Sequence, residues 1–150
     1  RNMAYPPKAF FGKSCYTPPE KSIAYKKKNF NKNSGSFTVE ERMDFIRRCT
    51  EDLPNVTVDS HLGLLADYAR EKGASAVVKG LRAVSDFEYE FQMSLTNRQI
   101  NPDVETLFMT ATAENMYLSS SIVREIARLG GSIEGMVPDE IINLIYKKYQ

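Results

Sequence analysis

At 150 residues, 42% hydrophobic and 26% charged, the chain is long enough for one domain that buries a real core. No apolar run approaches the ~20 residues of a membrane helix and no charged-then-apolar leader is read, so a cytoplasmic protein without a membrane partner is expected. Cys15 and Cys49 have no metal-ligand spacing, which predicts reduced thiols rather than a metal centre.

The net charge of +1 conceals an asymmetry. Residues 1–37 hold 8 of the 20 Lys/Arg and only Glu20 among acids, a balance of +7, whereas residues 38–150 hold 12 basic and 18 acidic residues, a balance of −6. The first segment also carries Pro6, Pro7, Pro18 and Pro19. It lacks helical or strand periodicity apart from a short strand near Ser22 to Tyr25, and by composition it is a basic flexible tail of the kind that touches nucleic acid.

Regular signals begin at Thr38. Thr38 and Glu41 form a capping box, and Val39, Met43, Ile46, Cys49 and Leu53 recur at helical spacing until Pro54. Val56 and Val58 alternate as a strand, and Leu64, Leu65, Tyr68 and Ala69 predict a short helix closed by Gly73. The apolar run Ala74 to Val78 predicts a central strand. A basic turn follows, Lys79-Gly80-Leu81-Arg82, and Ser85 with Glu88 predicts a second capping box opening a helix whose stripe of Phe87, Phe91 and Leu95 reads as core. Val104 to Met109 is the next strand, Leu118 to Leu129 the next helix, and Pro138 opens the last one. Strands alternating with helices predict an α/β fold with a parallel sheet and right-handed crossovers.

Two stretches carry chemistry. Lys79 and Arg82 sit between a strand's carboxyl end and a helix start, where α/β proteins hold phosphate. Ser119, Ser120 and Ser121 also open a helix after a strand, and since capping needs one hydroxyl, three in a row point towards an anion. Both stretches are expected at one sheet edge. No Walker loop, G-x-G-x-x-G, G-x-S-x-G or H-E-x-x-H is present, and His61 alone builds no metal site, so it receives no role.

The motifs Thr38 to Met43, Gly63 to Ala69, Lys79 to Glu90 and Leu118 to Glu125, in unbroken order from Phe37 to the C-terminus, resemble bacterial phosphopantetheine adenylyltransferase. The resemblance implies a Rossmann-like nucleotidyltransferase fold. It implies adenylyl transfer from ATP to 4′-phosphopantetheine, giving dephospho-coenzyme A and pyrophosphate in coenzyme A synthesis, with Mg2+ accompanying ATP and a homohexamer as the assembly. Carried over by position, it places 4′-phosphopantetheine at Leu65 and Lys79, and weakly at Lys32. ATP falls on Gly80, Leu81, Arg82, Glu90, Asn115, Met116, Tyr117, Leu118, Ser119, Ser120 and Ser121, and dephospho-coenzyme A or coenzyme A is a further partner. No protein metal site and no nucleic-acid partner are implied.

Residues 1–37 depart from that family. They contain no histidine and no T-x-G-H, so this basic, Pro-rich segment stands in place of the family's first strand, catalytic turn and helix, while 38–150 is the remainder of a single adenylyltransferase domain. Its composition is that of a displaced reading frame or a rearranged gene start, and no catalytic residue is assigned. Very slow turnover, or none, is therefore the expectation. The alternative is a non-catalytic nucleotide- or nucleic-acid-binding protein that reuses the fold.

Overall fold

The computed structural model describes residues 13–16, 22–27 and 37–149. Five strands form one sheet in the order β3-β2-β1-β4-β5, with β1 Lys13–Tyr16, β2 Ser22–Lys27, β3 Val56–His61, β4 Ala76–Leu81 and β5 Glu105–Thr110. The helices are α1 Val39–Cys49, α2 Leu65–Glu71, α3 Val84–Ile100, α4 Ser120–Arg128 and α5 Asp139–Tyr149. Strands β2 and β3 pair in parallel, as do β4 and β5, whereas β1 is antiparallel to both β2 and β4. Four strands thus share one direction, as the alternation of elements predicted, and β1 runs against them. Chain length explains the exception: only residues 17–21 join β1 to β2, and a parallel crossover needs a dozen or more.

The expected strand near Ser22 is β2, and it is part of the sheet rather than of a tail. Lys13–Tyr16, for which no strand was expected, is β1 of the same sheet and corrects the tail reading there, whereas Lys32 lies outside the described residues.

Local chemistry sets the element ends. The Glu41 amide donates to Thr38 Oγ1 at 3.1 Å and the Thr38 amide to Glu41 Oε2 at 2.6 Å, the reciprocal capping box. Helix α2 closes at Gly73, whose φ of +61° is open to glycine at little cost, and the Ala74 amide reaches back to the Ala69 carbonyl at 2.8 Å. That turn aims the chain directly into β4.

Two apolar clusters result. Leu65, Tyr68 and Ala69 of α2 pack with Ala74, Val77 and Val104 on one side of the sheet. Val123, Ala127, Ile133, Val137, Ile141 and Ile145 form the other with Cys49, flanked by Phe37 and Phe45 from the start of α1. Among the described residues, no helix is long and apolar enough to cross a membrane.

Three expectations are corrected here. Helix α3 starts at Val84, with Ala83 as an N-cap that lends no side chain, so Ser85 caps nothing. The Asp86 carboxylate occupies that end instead, accepting from the Arg82 amide at 3.4 Å. Strand β4 does not stop at Val78 but runs on through Lys79, Gly80 and Leu81, because β5 continues to pair with it as far as Leu81 opposite Thr110. The basic turn is thereby reduced to Arg82 and Ala83. Finally, Phe87, Phe91 and Leu95 are not core: they are 43%, 43% and 55% exposed. Asn97 is the residue of α3 that is buried.

Candidate functional site

Strand alternation decides where the two cations of the Lys79–Arg82 stretch go. Along β4, Val77, Lys79 and Leu81 point to one side and Val78 and Gly80 to the other. Lys79 shares a side with Val77, which lies in the α2 cluster, and is 1% exposed. A buried ammonium requires a counter-charge, and Glu90 of α3 supplies it with Oε2 2.7 Å from Nζ. The residues assigned separately to phosphopantetheine and ATP are therefore one ion pair.

Arg82 lies just past the strand and is half-exposed. Its Nε donates to Asp86 Oδ2 at 3.0 Å, its Nη2 to Asp86 Oδ1 at 3.4 Å, and its Nη1 to the Leu118 carbonyl at 2.6 Å. The last bond is the central one. Leu118 directly precedes the serines, so a single guanidinium joins the end of β4 to the start of α4. Arg82 thus meets the start of the serine run at one edge of the sheet, whereas Lys79 is buried with Glu90.

The serines divide their work. Ser119 is the N-cap of α4 and accepts from the Ile122 amide at 3.2 Å, while Ser121 accepts from Arg124 at 3.2 Å. Ser120 has no hydrogen-bond partner among the described residues. Asn115 ends a short 3-10 turn, donating to Thr112 Oγ1 at 3.0 Å, and the Met116 and Tyr117 side chains that follow are exposed.

A cavity of about 340 Å³ opens between the end of β4 and the start of α3, lined by Gly80, Arg82, Ser85, Asp86, Tyr89 and Glu90. Three of the six, Ser85, Asp86 and Tyr89, were missed by sequence reasoning. Their signal was present: 82, 86 and 90 repeat every four residues, and 85 and 89 fall on the adjacent row, so all five belong to one side of a helix that begins near Arg82. Leu81 is buried beside this cavity. Leu65 is buried in the α2 cluster.

A second polar group ties β3 to α2. Tyr68 donates its hydroxyl to Asp59 Oδ2 at 3.0 Å, and Lys72 Nζ lies 3.0 Å from the same oxygen. The Lys72 ammonium, followed by the Ser60 amide and the Tyr68 hydroxyl, holds the Asp59 carboxyl below the ordinary aspartate range against a smaller opposing effect of burial. Lys72 is raised in turn by Asp59. His61 closes β3 with its ring 4.8 Å from that of Tyr68 and Nδ1 3.9 Å from Glu71. No group of three or more His, Cys, Asp or Glu that would cage a metal occurs among the described residues.

Comparison with known proteins adds the following. A cytidylyltransferase-like family model matches residues 21–126. Over 115 residues the chain is 55% identical to the phosphopantetheine adenylyltransferase of Clostridium kluyveri, covering 77% of this chain and 70% of that protein. The corresponding enzyme of Clostridium tetani is 54% identical over 114 residues, 76% of this chain and 71% of the relative. That of Moorella thermoacetica is 52% identical over 113 residues, 75% and 71% respectively.

Proposed function

This chain belongs to the phosphopantetheine adenylyltransferases, within the cytidylyltransferase-like family, and from that premise we propose that it transfers the adenylyl group of ATP to 4′-phosphopantetheine. The 4′-phosphate attacks the α-phosphorus of ATP, one bond to the leaving oxygen breaks, and the products are dephospho-coenzyme A and pyrophosphate. The observation that carries this reading is the Arg82 bridge to the Leu118 carbonyl, which ties a cation that lines the cavity to the residue directly before the run of hydroxyls.

Such a transfer needs positioning and charge stabilisation more than a covalent nucleophile. Arg82, Gly80 and the hydroxyls of Ser119 to Ser121 are assigned to the ATP phosphates, with Leu81 and Asn115 to Leu118 forming the walls around the nucleotide. Lys79, Leu65 and, outside the described residues, Lys32 are assigned to phosphopantetheine. Glu90 stands as the counter-charge of Lys79 at 2.7 Å. Lysine in that position neutralises phosphate without the two-pronged grip of arginine.

Magnesium fits as an ion carried by the triphosphate. The cavity offers two carboxylates, Asp86 and Glu90, but no acidic cage, and Mg2+ commonly binds through substrate phosphates with one or two carboxylates and water. When bound it would neutralise phosphate charge. The setting is taken as cytoplasmic. Assembly as a homohexamer is supported by the apolar surface that α3 and β5 leave uncovered, including Phe87, Phe91, Leu95, Leu107 and Met109.

Pyrophosphate release with ATP and 4′-phosphopantetheine tests the reading. The expected outcome is measurable turnover that is lost on Arg82→Ala. Because residues 1–150 contain no T-x-G-H, the rate should lie about 100-fold or more below that of a chain given a T-x-G-H start, the usual effect of losing a preorganised transition-state donor. Absence of both turnover and ATP binding in the unaltered chain would overturn it.

A further inference from the structure

Arg82 is assigned above to the ATP phosphates, and on that reading we infer that Asp86 is its positioning residue, holding the guanidinium across the cavity so that the nucleotide meets a cation already aimed.

The hydrogen-bond inventory supports this. Guanidinium carries five N–H donors. Asp86 takes two, through Nε at 3.0 Å and Nη2 at 3.4 Å, and the Leu118 carbonyl takes one from Nη1 at 2.6 Å. Two donors, one on each terminal nitrogen, have no partner among the described residues. Asp86 therefore occupies the side of the guanidinium and leaves part of its outer end for phosphate, so the carboxylate and a phosphate do not compete for the same N–H groups.

Asp86 is itself well anchored. It stands in the first turn of α3, where unpaired amides and the helix dipole favour a carboxylate, and it accepts from the Arg82 backbone as well as from the side chain. An arginine on a long flexible stem loses rotamer freedom when it binds a ligand unless it is held beforehand. With Arg82 43% and Asp86 31% exposed, the holding must come from geometry, since solvent weakens the simple charge attraction. The same contact fixes the start of α3 against the start of α4, where Ser119 and Ser120 stand.

A carboxylate beside a polyanion has a rival role, that of repelling it, and the two roles predict opposite signs. ATP binding to the full chain, measured by isothermal titration, separates them. If Asp86 positions Arg82, Asp86→Asn weakens ATP binding about tenfold, the scale of one charge-assisted hydrogen bond. Asp86→Glu, which keeps the charge but shifts it by one methylene, then weakens binding in part. In the Arg82→Ala background neither substitution has a further effect, because the residue it acts through is gone. Thermal midpoints measured alongside report any general loss of fold, which would lower binding equally in both backgrounds. Tighter or unchanged ATP binding by Asp86→Asn, or an equal loss with and without Arg82, overturns the inference. If the unaltered chain shows neither turnover nor ATP binding, the adenylyltransferase reading fails together with it. ATP binding that ignores Asp86 overturns the inference alone.

Discussion

A lysine that is 1% exposed survives in a folded chain only with its charge matched, and Lys79 is matched by Glu90 at 2.7 Å. Removing one partner of such a pair takes away a main offset to the desolvation of the buried charge. Glu90→Gln is therefore expected to lower stability by about 3 kcal/mol. Urea unfolding measures it, and a loss under about 1 kcal/mol would mean that Lys79 reaches solvent or another acceptor without rearrangement. At this scale the sequence was readable only in part. It marked Lys79 and Arg82 as cations beside a helix start, but gave them one role. Their separation comes from strand parity: Lys79 falls on the inward side of β4, and Arg82 lies beyond the last pair with β5. How far a strand pairs depends on its neighbour, and nothing local to Ala74–Val78 announces that β5 carries the pairing three residues further.

Among the elements, α4 shows how a run of identical residues acquires different duties. Ser119 caps the helix and Ser121 meets Arg124, so Ser120 is the hydroxyl among the three without a structural bond among the described residues. Losing an N-cap hydroxyl costs about 1 kcal/mol. Ser119→Ala should therefore lower stability by about that amount, whereas Ser120→Ala should leave stability unchanged and weaken ATP binding. Parallel thermal melts and ATP titrations decide it, and equal stability losses in the two variants would remove Ser120 from the ligand site. Element starts were legible where a side chain makes the cap, as Thr38 and Glu41 do at α1. At α3 they were not. Ser85 and Glu88 have the spacing of a capping box, yet Asp86 is drawn to Arg82 and the helix begins at Val84. An ion pair outcompeted a cap that the local pattern allowed.

For the molecule as a whole, the order of strands and helices was legible from alternating periodicity, while burial was not. The stripe of Phe87, Phe91 and Leu95 has the spacing of a core face, and spacing alone does not say what lies opposite it. Here the Phe87 ring stacks on Phe91 with centroids 5.5 Å apart and meets Phe108 of β5 edge-on at 5.8 Å, yet Phe87 and Phe91 both remain 43% exposed. Phe108 pairs with Lys79 in the sheet, so its neighbours Leu107 and Met109 face the opposite side, where they are 53% and 56% exposed. Apolar surface of this extent on a 17.0 kDa chain is characteristic of a contact surface. An assembly that covers it would make the stripe core after all, within the oligomer instead of the chain. Light scattering at graded protein concentration should give a mass several times 17.0 kDa, sixfold for the proposed hexamer. Phe91→Asp would place a charge in the covered face and shift the mass towards that of one chain, with the helical content of the monomer retained. A mass of 17.0 kDa at every concentration would show that α3 keeps its aromatic stripe for something other than a second copy.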